Sequence, residues 1–163
     1  MKAIDLLRKD HATVTRLLER AARTTARAQK TRRELVGRLA GELDLHATVE
    51  EEFFYPALRA IDEAQPLVAE AQREHERVRT LIQELQQAGV AGEDFPERVR
   101  RLAEAVGHHV DEEEQKLFAL AERLGPDELD DLGQQMTQRK RELRARPAGR
   151  GRRTPRKGMR DAA

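Results

Sequence analysis

Apolar residues recur along the chain at the three-and-four spacing of helices that bury one face, in four long runs. The first seam reads Ile4, Leu7, His11, Val14, Leu18 and Ala21, and the second Val36, Leu39, Leu43, His46, Glu50, Phe53 and Ala57. The third reads Val68, Ala71, His75, Val78, Ile82 and Leu85, and the fourth Val99, Leu102, Val106, His109, Glu113, Leu117 and Leu120. Pro66, Pro96 and Pro126 each stand where a helix opens, Gly89 to Gly92 marks a loop, and Gly125 ends one helix before Pro126 starts another. The periodicity lapses between Thr24 and Thr31. The pattern predicts helices over about 3–28, 31–62, 65–88 and 95–123, then a shorter one over about 126–144. Short connections between long helices predict an all-α, up-down-up-down four-helix bundle over 1–125, an additional C-terminal helix over 126–144, and a basic disordered tail over 145–163.

The seams are apolar except for one histidine in each, with a glutamate four residues further on in the second and fourth. One histidine on an apolar face is ordinarily a satisfied core residue. Four at once are not expected by chance. Burying Glu50 and Glu113 without a partner would cost several kcal/mol, and no lysine or arginine shares the seams near them. Counting residues from each histidine to the intervening turns, at 1.5 Å of rise, puts the four within a few ångströms of one level, or roughly 10 Å for the second and third helices. His46/Glu50 and His109/Glu113 are i, i+4 pairs, so each pair projects from one side of its helix. Four imidazoles and two carboxylates meeting in a dry core make a site for two cations, with His11, His46, Glu50, His75, His109 and Glu113 as metal ligands. Such nitrogen and oxygen donors suit iron, manganese or zinc.

Composition narrows the classes. With no cysteine among 163 residues, disulfides, thiolate metal sites and a cysteine nucleophile are excluded. The N-terminus lacks the apolar run of a signal peptide, and no later window is long and apolar enough to span a membrane, so a cytoplasmic protein with no membrane partner is expected. The net charge of +1 conceals an asymmetry: residues 139–163 hold 11 Lys and Arg against two acidic residues, leaving the rest net acidic by eight. The stretch 139–160 therefore either solubilises the chain or makes weak contact with nucleic acid or another polyanion. No aromatic residue interleaves its charges, which argues against base stacking.

The ordered set His11, His46-x-x-x-Glu50, His75 and His109-x-x-x-Glu113 resembles the hemerythrin-like HHE cation-binding family. So do the runs Asp10-His11, Glu50-Glu51-Glu52-Phe53-Phe54-Tyr55-Pro56 and His108-His109-Val110-Asp111-Glu112-Glu113-Glu114. The resemblance covers about residues 3–143. It implies a non-haem diiron centre, oxo- or hydroxo-bridged, that binds or senses dioxygen, nitric oxide or peroxide, or sequesters iron. Oxygen carriers of this family place two histidines four apart on the third helix, whereas Ala71 and Arg79 flank His75 at those distances. One imidazole fewer leaves one iron more open or completed by another group. That makes a peroxide-decomposing, catalase-like enzyme an alternative; a metal-free helical interaction protein is a third. Tyr55 falls off the seam and reads as structural. His108 reads as exposed or as a support to a ligand, and not as a ligand itself, while Glu51, Glu52, Glu112 and Glu114 read as solvated residues able to orient a ligand imidazole. Gly37, Gly41 and Gly107 read as points of close helix packing, or as space for a small ligand to enter.

Overall fold

The computed structural model describes residues 1–146; the expected tail lies outside the described residues from position 147 onward. The chain forms α1 (Ala3–Ala22), α2 (Gln29–Val49), α3 (Gln65–Ala88), α4 (Phe95–Glu112) and α5 (Pro126–Ala145). The first four make the expected bundle, and no strand occurs among the described residues. Helix α5 lies across α1 and α2, burying Leu129, Leu132 and Met136 against them. Gly133 allows this close approach, since a Cβ there would fall 2.1 Å from the Met1 carbonyl oxygen. The three glycines expected to mark close packing do not, because a Cβ at Gly37, Gly41 or Gly107 would meet nothing within 4 Å.

Helix α1 stops six residues before the predicted end, where Thr24 Oγ1 donates to the Ala21 carbonyl. Buried Arg32 then fastens this end of the bundle. It donates to Thr24 Oγ1 at 2.9 Å and to the Val90 carbonyl at 2.9 Å, with its guanidinium 4.2 Å over the Phe95 ring.

Helices α2 and α4 each run into a π turn at the predicted ligands, over Glu50–Phe54 and Glu113–Leu117. A π turn accommodates one residue more than an α turn, so the inward-facing set slips by one position beyond it. After Glu50 the buried residues are Phe54, Tyr55 and Leu58, while Phe53 and Ala57 of the predicted seam are only half-buried. After Glu113 they are Leu117, Phe118 and Ala121, and Leu120 is half-buried. The interior is thus divided. One apolar cluster holds Leu7, Phe54, Leu58, Phe118 and Met136. The other holds Leu18, Leu39, Ile82, Leu85 and Leu102, and the histidine and glutamate layer lies between the two.

Candidate metal centre

All four seam histidines are buried, and each turns its Nδ1 outward to a carboxylate. His46 meets Asp10 Oδ2 at 3.5 Å, His75 meets Glu51 Oε1 at 2.9 Å, His109 meets Glu74 Oε2 at 3.0 Å, and His11 meets Glu114 Oε1 at 2.7 Å. An ionised carboxylate only accepts, so Nδ1–H is the donor and each Nε2 is left facing the core. The four pairs close a ring. Asp10 of α1 serves α2, Glu51 beyond α2 serves α3, Glu74 of α3 serves α4, and Glu114 beyond α4 serves α1. Each supporting carboxylate is the sequence neighbour of a predicted ligand on its own helix. Two are held from outside in turn, Asp10 by buried Lys140 of α5 and Glu51 by Arg79 at 3.0 Å, while Glu74 Oε1 lies 3.1 Å from exposed His108 Nε2 without a hydrogen bond.

Inside the ring, His11, His46, His109, Glu50 and Glu113 offer ligand atoms within 4.8 Å of one another. His11 Nε2 lies 3.1 Å from Glu113 Oε2, and His46 Nε2 lies 3.2 Å from Glu50 Oε1. These contacts lack hydrogen-bond geometry: the three Nε2 atoms, Glu50 Oε1 and Glu113 Oε2 are buried with no hydrogen-bond partner. Orphaned groups of this kind cost about 1–3 kcal/mol each. A donor set converging on one point is what a cation would repay.

The other oxygen of each glutamate faces elsewhere. Glu50 Oε2 accepts from the Tyr55 hydroxyl at 3.0 Å and lies 2.9 Å from His75 Nε2, and Glu113 Oε1 accepts from the same hydroxyl at 3.3 Å. Tyr55 Oη is also 3.3 Å from His75 Nε2, its ring stacked on that imidazole. Glu50 and Glu113 therefore each give one oxygen to a His11/His46 half and one to a His75/Tyr55 half, with His109 Nε2 3.6 Å from Glu113 Oε2 and 3.9 Å from Glu50 Oε2.

The charges follow from the burial. Desolvation opposes protonation of His46 and His75, yet Glu50 and the outer carboxylates outweigh it, raising His46 to about 10 and His75 to about 9. Burial likewise opposes ionisation of Glu50, but His46 and His75 hold it well below the usual carboxylate range. Glu113 is pushed up by burial and by the Glu50 charge beside it. Burial next to both carboxylates pushes the Tyr55 phenol well above 10.

The family description Hemerythrin HHE cation binding domain matches residues 2–121, which include all six predicted ligands. The chain belongs to the hemerythrin HHE cation-binding family. Its fold is similar to the crystal structure of a hemerythrin HHE cation-binding domain-containing protein from Mycobacterium kansasii, with a TM-score of 0.78, 25% identity and 88% of each chain covered. It is also 31% identical over 119 residues to a protein of Nostoc described as a DNA nickase, covering 73% of this chain. The chain spans only about a third, 33%, of that relative's length.

For this HHE domain, then, the structure brings five predicted ligands into one group and sets His75 against it through Glu50 Oε2 and Tyr55. Tyr55, expected to be structural, is instead at the centre of the second half. A spacing of 3.6 put it off the seam, whereas the π turn swings it in at i+5 from Glu50. Asp10, Glu74 and Lys140 were not singled out as functional, and all three are buried. A signal did exist for the first two, each an acidic residue directly before a seam histidine. Glu51 and Glu114 do orient imidazoles, whereas Glu52 pairs with Arg139 and Glu112 with Lys116. His108 is exposed, as expected.

Proposed function

We propose that this HHE domain holds two iron ions through His11, His46, Glu50, His75, His109 and Glu113, and that dioxygen, nitric oxide or peroxide binds at them. The observation that carries the two-ion reading is the division of each buried glutamate between two halves of the site, since a carboxylate so placed can bridge. The His75 half has one imidazole fewer, and we assign Tyr55 Oη, 3.3 Å from His75 Nε2, as its oxygen donor. The six residues and Tyr55 offer eight or nine nitrogen and oxygen donor atoms for two ions, four or five each before an exogenous ligand is added, which suits iron or manganese better than zinc with its preference for four in all. The family and the outward carboxylates support the same assignment. An iron pair, when bound, would supply electrons for reduction of an oxidant; the chain's own residues would hold it between two apolar clusters, with the outer carboxylates orienting the imidazoles.

Metal analysis after growth with iron tests the reading, with two iron per chain expected together with near-ultraviolet bands of a bridged ferric pair. Protein free of iron, manganese and zinc would leave only a helical interaction role. Decomposition of hydrogen peroxide is a second reading, favoured by Tyr55 in place of an imidazole. Oxygen evolution no faster than from free iron would remove it, leaving ligand sensing or iron storage. A weak nucleic-acid contact by segment 139–160 is in keeping with the likeness to a protein described as a DNA nickase. However, Arg139, Lys140 and Arg144 are engaged by Glu52, Asp10 and Glu42, so that contact would fall to exposed Arg141 and to later residues. Duplex binding that does not weaken with salt would count against it.

A further inference from the structure

Helices α2 and α3 form the least closely packed of the bundle's four neighbouring pairs. There a cavity of about 240 Å³ opens to the surface and reaches all four imidazoles. Its walls are aliphatic: Val14 of α1, Leu43 of α2, Val78 and Ile82 of α3, and Val106 and Val110 of α4. Ala40 and Ala47 on α2 are too small to fill it. Its rim carries exposed Asp44, Gln83 and Gln86 and half-buried Arg79.

Size and polarity select the occupant. Water takes ~30 Å³ in the liquid, so the cavity equals roughly eight such shares. Dioxygen, nitric oxide and hydrogen peroxide have two non-hydrogen atoms each and would leave most of the space to water against an aliphatic wall, which is unfavourable. Among the described residues the one cation on the rim, Arg79, is committed to Glu51 and Glu76, and Asp44 adds negative charge, so none of them would retain an anionic tail. What fits is an uncharged aliphatic body whose polar end lies at the imidazoles.

We propose that the cavity receives the alkyl chain of a small organic hydroperoxide, roughly five to seven carbons long, with the hydroperoxide group toward the imidazoles. This rests on the reading that metal ions bind there and that peroxides are among their ligands, and it names the class of peroxide.

Zinc-loaded protein, which is redox-inert, allows binding to be measured without turnover. Zinc content is determined on the sample, which is then titrated calorimetrically with hydrogen peroxide and with ethyl, n-butyl and n-hexyl hydroperoxide. Affinity should rise roughly fourfold per methylene, or roughly 200-fold from ethyl to hexyl. Val78→Phe, or Ala40→Phe nearer the rim, should keep the zinc and abolish the chain-length dependence. Zinc-loaded protein that binds all four probes alike would overturn the proposal and leave the metal reading standing, as would a zinc-loaded, folded filling variant that keeps the dependence. Protein that takes up no metal would instead defeat the reading beneath it.

Discussion

Replacing Lys140 by Met is the sharpest test of how α5 is tied to the centre. The Lys140 ammonium and the Asp10 carboxylate are both buried, and the other Asp10 oxygen meets His46 Nδ1 at 3.5 Å. Methionine keeps the aliphatic stem and removes only the charge. Breaking a buried pair from one side costs about 3–5 kcal/mol, because the remaining ion keeps its desolvation penalty. Asp10 retains His46 as a partner and some solvent contact, so a loss of about 2–3 kcal/mol is expected. With a urea m-value of about 2 kcal/mol/M, the midpoint of metal-free protein should fall by about 1–1.5 M. The double variant Asp10→Asn/Lys140→Met should recover at least ~1 kcal/mol relative to the sum of the single changes. Iron should also be held some 10-fold more weakly, because the carboxylate orienting His46 has lost its anchor. A midpoint shift below about 0.2 M with additive double-variant energies would refute the chain from Lys140 through Asp10 to His46.

Glu113→Ala removes an oxygen from both halves of the site, so iron content should drop below one per chain; two retained ions would refute the bridging role. Tyr55→Phe should keep the fold and both ions while deleting any visible phenolate-to-iron band, and an unchanged spectrum would exclude Tyr55 as a donor. His46 and His75, raised to about 10 and about 9 in the metal-free protein, favour folding while protonated. Their contribution is complete below the unfolded value of about 6.5 and is lost as pH rises through 9 to 10, so the melting temperature of metal-free protein should fall between pH 7 and 10. Because metal must displace those protons, loading should release them and strengthen with pH, which a weakly buffered titration detects; uptake independent of pH would contradict the assignment.

The helices and the convergence of the seam histidines and glutamates were legible because a buried polar residue in an apolar seam is conspicuous and because short loops fix which helices are neighbours. Pro66, Pro96, Pro126 and Gly125 marked the breaks correctly. What the periodicity missed came from its assumption of a constant pitch. The π turns at Glu50 and Glu113 shift the register by one, which hid Tyr55 and mis-set Phe53, Ala57 and Leu120. Asp10, Glu74 and Lys140 were hidden for another reason. Charged residues at the margin of a seam read as solvent-facing until the neighbouring helix, or α5, covers them. The glycines misled in the opposite direction, since a small residue suggests close approach but cannot show that a neighbour is there.

The closed circuit of carboxylates has a consequence for how the protein comes to exist at all. Every helix of the bundle is both a creditor and a debtor of its neighbours, so no pair of helices contains a finished half-site. A chain emerging from synthesis cannot orient His11 until Glu114 has been made, more than a hundred residues later. The cluster of histidines and glutamates is thus assembled only when all four helices have come together.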